Sequence, residues 1–199
     1  KLGEVIDRLP SGLIDKRATG IGATTCELTS PRNSIIVVPT RALAYSKALS
    51  HSDSFYLGSP YGNIKSKIND EEIRIYLSSD IEFKKFLVVA DSLPRLIKVI
   101  GVDVYKDFFI MIDEIDSFLF DRTQAQHSWE VSMVNEMLTQ MESFPGIFVA
   151  STNYIEGIDA AALRRFDLKV KFDFMETKQA WVLFCRYCTE LCLPEPDSQ

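Results

Sequence analysis

Short β-rich runs recur along this chain, several of them nearly unbroken Val, Ile, Leu and Phe, with helical segments in the gaps. They stand at Ser34–Pro39 (SIIVVP), Lys85–Ala90 (KFLVVA), Asp107–Asp113 (DFFIMID), Gly146–Ser151 (GIFVAS) and Leu168–Phe172 (LKVKF), with a weaker one near Leu13–Lys16. A strand with one wet face alternates apolar and polar residues, whereas a strand buried on both faces does not. The intervening segments predict helices over Arg41–Leu49, Asp70–Ser78, Ser92–Ile100 and Ser128–Ser143. In the last, Val131, Val134, Leu138 and Met141 share one stripe, Ser128 is placed to cap, and Glu130 sits where the helix dipole favours an anion. Strands alternating with helices need crossover connections, so the expected fold is a three-layer α/β/α sandwich around a mainly parallel sheet. Ligands of such sheets bind outside the carboxyl ends of the strands, and the loops there are the ones to search.

The length, 199 residues, suits one α/β domain with a small appendage. Apolar residues make up 46% and charged residues 25% of the chain, as in an ordinary globular protein. A formal charge of −6 argues against nucleic-acid binding by the whole surface and leaves room only for a local basic groove. No apolar run approaches the ~20 residues of a membrane helix, and no signal peptide is visible in the sequence, which starts at Lys1 and not at Met. Of the four cysteines, Cys185, Cys188 and Cys192 crowd together and make a poor disulfide framework beside Cys26. A cytoplasmic setting is therefore expected.

Two loops carry chemistry. Asp113-Glu114-Ile115-Asp116 follows the apolar run Phe108–Ile112, so both leading carboxylates emerge at a strand end. There Asp113 can hold Mg²⁺, a hard cation that prefers oxygen ligands, and Glu114 can deprotonate an attacking water. The alternative is a strand that ends in a solvated acidic turn. The second loop is Lys16–Thr25 (KRATGIGATT). A phosphate loop needs glycines to turn backbone N–H groups inward, a Ser or Thr for Mg²⁺ and a Lys for the β- and γ-phosphates. Aligning Gly22 and Thr24 with the end of G-x-x-x-x-G-K-[ST] puts Ala23 at the lysine position and Arg17 at the first glycine. Thr19, Gly20, Ile21, Gly22, Ala23, Thr24 and Thr25 are the candidate cradle for ATP, with Thr24 joining Asp113 on the metal. Lys16 or Arg17 can supply the missing charge. Without it the loop is a Gly/Thr turn that binds nucleotide with slow turnover.

An apolar strand closing on Asp-Glu is similar to the additional-glutamate P-loop ATPases. Beyond it, DEIDSFLFDR, SWEVSMVNEMLTQMES, GIFVASTN and IDAAALRRFDLKVKF follow in order. This stretch, residues 113–172, resembles the AAA+ ATPases, particularly those of the valosin-containing-protein type. The resemblance implies Mg²⁺ and water activation at Asp113 and Glu114, and a water- or phosphate-sensing Asn at Asn153. It also implies arginine fingers at Arg164 and Arg165 that reach a neighbouring subunit in a homo-oligomeric ring. The chain lacks the Pro-Gly that many relatives carry before Arg-Phe-Asp, so the choice between the two arginines stays open, as does a plain role capping a helix end.

The earlier half points elsewhere. Val38-Pro39-Thr40-Arg41-Ala42-Leu43-Ala44 resembles the P-T-R-x-L-A loop of superfamily-2 helicases. Val88–Leu93 resembles another of their strand-end loops, Asp113–Asp116 their acidic box, and Ser151-Thr152 loosely their S-A-T. Three functions are therefore expected to compete: an ATPase that remodels a protein or nucleic-acid partner, one RecA-like domain of a nucleic-acid translocase, and a weak nucleotide-binding domain. The expected division is a core over residues 1–174 and a truncated helical lid over 175–199, in which Arg186 is a distant candidate for a sensor arginine.

Other residues read more plainly. Cys185, Cys188 and Cys192 lie on one helical face and are expected to pack there, since a fourth metal ligand is missing nearby. His127 and His51 read as loop residues and Trp129 as a packing anchor. Lys65, Lys67, Lys84 and Lys85 read as solvated, with a nucleic-acid track as the alternative.

Overall fold

The computed structural model describes residues 6–16, 22–63, 68–173 and 175–193. Seven strands form one sheet: β1 (Gly12–Asp15), β2 (Ser34–Val37), β3 (Ser54–Leu57), β4 (Lys85–Val88), β5 (Phe109–Ile112), β6 (Phe148–Thr152) and β7 (Lys169–Lys171). Their spatial order is β3-β4-β2-β5-β6-β1-β7. Every strand pair is parallel. The fold is the expected α/β architecture of the P-loop NTPases, and its carboxyl strand ends share one rim.

The continuous apolar runs work by dividing their side chains between two cores. Ile35, Val37, Phe86, Val88, Ile110 and Ile112 face one side, with Leu96 and Ile100 of α4 (Leu93–Ile100) and Val134 and Leu138 of α6 (Ser128–Ser143). Ile36, Val38, Leu87, Phe109 and Met111 face the other, with Cys26 of α1 (Ala23–Thr29) and Ala44 of α2 (Arg41–Ser50). The remaining helices are α3 (Asp70–Leu77), α5 (Val102–Tyr105), α7 (Ala160–Leu163) and α8 (Thr177–Glu190). Gly12 opens β1 at φ 132°, and a methyl group there would overlap the Leu168 carbonyl oxygen, so only glycine lets β1 and β7 close.

Several expectations are corrected. β3 did not stand out in the sequence, because Ser54-Phe55-Tyr56-Leu57 is short and only Tyr56 and Leu57 are fully buried. Ala23, Thr24 and Thr25, expected in the loop Lys16–Thr25, open the helix Ala23–Thr29. The cap of α6 is His127, not Ser128, which is the first helical residue. Glu130 accepts from the backbone N–H groups of Gln126 and His127 at 2.7 and 2.9 Å. Trp129 is 61% exposed and stacks on His127 instead of anchoring a core. Lys84 and Lys85 are buried rather than solvated. Lys65 and Lys67 lie outside the described residues. Of the three late cysteines only Cys188 is fully buried, and all four cysteines are free thiols. Among the described residues no helix is long and apolar enough to cross a membrane.

Candidate nucleotide site

The two loops meet at one carboxylate. Asp113 is the first residue past β5, and its N–H donates to the Val37 carbonyl at 2.9 Å, which fixes it at the rim. Thr24, in the first turn of α1, donates its hydroxyl to Asp113 Oδ2 at 2.7 Å. Lys16, the first residue past β1, donates its ammonium to Oδ1 at 2.7 Å, and Ser151 of β6 donates to the same oxygen at 2.5 Å. Asp113, Lys16, Thr24 and Ser151 are all buried. The strands bearing the two loops, β1 and β5, are not neighbours. β6 lies between β1 and β5 and contributes Ser151 to the contact.

Burial pushes the Asp113 carboxyl upward. The Lys16 charge and the hydrogen bonds from Lys16, Ser151 and Thr24 outweigh it and hold the group below the ordinary carboxylate range. Asp113 therefore stands ionised and pre-positioned beside a threonine hydroxyl. That pair of hard oxygen donors fits Mg²⁺, which binds through one or two carboxylates together with substrate phosphates. Among the described residues no cluster of three or more His, Cys, Asp or Glu forms a protein-only metal cage.

Glu114 differs from its neighbour in every respect. Its backbone is left-handed, φ 56° and ψ 54°. Such a conformation costs an L-residue roughly 1–2 kcal/mol, and strain of this kind concentrates at functional sites. The side chain is half-buried and makes no recorded polar contact. Asn153 follows β6, and its Oδ1 is buried without a hydrogen-bond partner among the described residues. A buried acceptor without a protein partner suits a bound water. Asp116 accepts from the Thr152 hydroxyl at 2.6 Å and so ties the acidic loop to the end of β6.

Gly22 precedes α1 at φ 89°, a conformation that a glycine adopts freely. Gly22, Ala23, Thr24 and Thr25 are thus placed at the rim. Thr25 accepts from Lys47 of α2 at 2.9 Å. Thr19, Gly20 and Ile21, with Arg17, lie outside the described residues.

Arg164 and Arg165 follow α7 and both turn back on it, donating to the carbonyls of Ala160 and Ala161 at 3.3 and 2.8 Å. Arg165 also pairs with Glu142 at 2.5 Å, while among the described residues Arg164 has no ion pair. The helix that carries them is fixed by Asp159, which caps it through the Ala161 N–H at 2.8 Å and pairs with Arg122 at 2.7 Å. Arg186 pairs with Glu190 on its own helix.

Two clefts of about 830 and 440 Å³ open on the opposite, amino rim, lined by Ser30, Asp53 and Lys85 and by Gly12, Glu142 and Arg165 respectively. The strained Glu114 and the unpartnered Asn153 acceptor are at the carboxyl rim, where parallel sheets bind their ligands.

Comparison with known proteins fits that rim. The profile of the family described as "ATPase family associated with various cellular activities (AAA)" matches residues 71–174. That is more than half of the 199 residues. The chain belongs to the AAA ATPase family. The match contains Asp113, Glu114, Asn153, Arg164 and Arg165 and begins after the glycine turn at Gly22. Spastin of Drosophila mojavensis is 32% identical over 84 residues, 39% of this chain and 11% of that protein. Spastin of Drosophila melanogaster is 35% identical over 68 residues, 31% of this chain and 9% of that protein. This AAA chain thus spans about a tenth of the length of the curated relatives it matches. A chain in the structure of the E. coli MS115-1 HORMA:CdnC:Trip13 complex is 17% identical with a TM-score of 0.43, covering 88% of this chain and 59% of that one.

Sequence reasoning did not expect Lys16 or Ser151 as partners of Asp113. Lys16 was considered only as a stand-in charge, and Ser151 only as part of a helicase-like dipeptide. Their signal was positional, since Ser151 lies near the carboxyl end of β6, beside the acidic strand, and Lys16 follows the carboxyl end of β1, one strand further on.

Proposed function

We propose that this AAA domain binds ATP with Mg²⁺ at the carboxyl rim and hydrolyses the β–γ bond by in-line attack of water. What carries the reading is the hydrogen bond between Thr24 and Asp113, which joins the glycine turn to the acidic strand end at one point. Thr24 and Asp113 would hold the metal, which when bound would neutralise charge on the phosphate oxygens. Glu114 is the general base. Its strained backbone holds the carboxylate clear of competing donors, and Asn153 Oδ1 accepts a hydrogen bond from the attacking water. The backbone from Thr19 to Thr25 cradles the phosphates.

Arg164 is the better finger of the two, because Arg165 is held by Glu142 in its own subunit. A guanidinium delivers two donors to charge growing on phosphate oxygens, and it must come from a neighbouring copy, which makes the working form a ring. Residues 1–174 act as the core and 175–199 as part of a helical lid built around α8. The valosin-containing-protein type of remodelling, in the cytoplasm and on a protein partner, is the specific activity this arrangement suits.

A second reading is favoured by one observation. β2 and β4 pair with Val37 opposite Val88, so the helicase-like loops after them are side by side, with Arg41 exposed. A nucleic-acid backbone is the ligand those loops suit. Phosphate release decides between the readings. Wild type should release phosphate with a rate per subunit that rises with protein concentration, and Glu114→Gln should lower it about 10²–10⁴-fold. Stimulation by RNA or DNA would favour the second reading. Release that is absent in every condition would remove both.

A further inference from the structure

A phosphate loop of the usual pattern brings its lysine from the first turn of the helix that follows. Here that position is Ala23, 3% exposed at the start of α1, with a methyl where an ammonium is needed. The nearest buried ammonium arrives from another direction. The backbone N–H of Lys16 donates to the Thr152 carbonyl at 2.8 Å, which fixes the residue at the rim between β1 and β6. Its side chain then reaches the carboxylate that Thr24 and Ser151 also touch.

The three buried lysines are not equivalent. Lys84 Nζ donates to Ser79 O, Ser79 Oγ and Ile81 O at 2.6, 3.0 and 2.7 Å. Lys85 Nζ donates to Glu27 O, Ser30 Oγ and Ser34 Oγ at 2.7, 2.9 and 3.0 Å. Each has three acceptors for three N–H bonds. Among the described residues Lys16 meets one acceptor, Asp113. A buried ammonium with unspent donors is costly unless something accepts them, and phosphate oxygens are strong acceptors.

We propose that Lys16 is the phosphate-binding lysine of this site, supplying from the end of β1 the ammonium that the glycine loop lacks at Ala23. The proposal rests on the nucleotide reading above and adds the residue that reading leaves out. One N–H stays on Asp113 while the other two face the β- and γ-phosphate oxygens. Lys16 then links the triphosphate to the metal-holding carboxylate and is selective for nucleotides with more than one phosphate.

The test is equilibrium binding of fluorescent ATP and fluorescent AMP to the full chain, with Mg²⁺ and with chelator, followed by anisotropy. Lys16→Met should weaken ATP about ten- to a hundredfold, the loss of a charge-assisted hydrogen bond, and leave AMP within about twofold. Lys16→Gln keeps a donor for Asp113 without the charge, so it preserves folding where Met does not, and it should show the same selective loss. An ATP affinity that matches wild type in a folded Lys16 variant overturns the proposal and leaves the nucleotide reading standing. A parallel fall for ATP and AMP also overturns it, because a merely structural ion pair would act on both alike. Wild type that binds no ATP in either condition removes the parent reading and this one together.

Discussion

The two rims of the sheet each bury a carboxylate in a knot of polar groups, and they have opposite characters. At the amino rim Glu27 is fully buried and accepts from Ser30 Oγ at 3.0 Å, Arg32 Nε at 2.9 Å and Ser34 Oγ at 2.5 Å. Arg32 closes a second bond to Glu27, donates to Leu9 O and lies 3.3 Å above the Phe109 ring centre. Lys85 completes the group with its three acceptors. At the carboxyl rim Asp113 is well bonded, but among the described residues Lys16 has donors to spare, Asn153 has an orphaned acceptor and the strained Glu114 has no polar partner. A closed network specifies and rigidifies a fold, whereas an open one stores capacity for a ligand. The difference assigns structure to one rim and chemistry to the other.

The comparison breaks most sharply at Glu27. Glu27→Gln leaves the buried Lys85 and the half-buried Arg32 without their carboxylate, and breaking a buried pair from one side costs about 3–5 kcal/mol. Urea denaturation should show a loss of that order, while the folded fraction should bind ATP as wild type does. A large drop in ATP affinity with little loss of stability would reverse the assignment of the rims.

Lys85 sharpens it through pH. Burial pushes its pKa down to about 8 despite the Glu27 charge. Between that value and the unfolded value near 10.5 the unfolded chain binds the extra proton, so stability rises with pH in this window. Tyr76, raised to about 12 chiefly by burial, works the other way above pH 10, where the unfolded chain loses its proton first. Raising the pH from 8 to 10 should therefore stabilise wild type relative to Lys85→Met by about 1–3 kcal/mol. Melting curves of both proteins across that range give the answer, and parallel curves would mean that Lys85 is not held as a disfavoured charge.

The unequal legibility of the two rims has a physical cause. Strands buried on both faces announce themselves as apolar runs, which is why β2, β4, β5 and β6 stood out in the sequence while the half-buried β3 did not. The acidic pair was legible because two carboxylates directly after such a run have few other reasons to be there. The partners of Glu27 were not. Arg32 and Ser34 lie close in sequence, but Lys85 comes from 58 residues away and read as a surface charge. Contacts of this range depend on strand order, and no local pattern records that β4 lies beside β2. Lys16 and Ser151 were obscured for the same reason, as they reach Asp113 across 97 and 38 residues.

The smallest expected effect is the most telling about Glu114, because it separates strain from charge. The left-handed backbone costs roughly 1–2 kcal/mol with a side chain present. Glycine removes that cost and adds about 0.5–1 kcal/mol of unfolded-state entropy. Glu114→Gly should therefore stabilise the fold by up to about 1.5 kcal/mol while phosphate release is lost. Glu114→Gln retains the side chain and the strain, so it should lose release with no change in stability. Denaturation midpoints of the two variants against wild type make the measurement. A residue whose replacement by glycine improves the fold and ends the reaction is kept for the reaction. Equal or lower stability for Glu114→Gly would mean that the carboxylate supports the structure, and the carboxyl rim would then resemble the amino rim more than its geometry suggests.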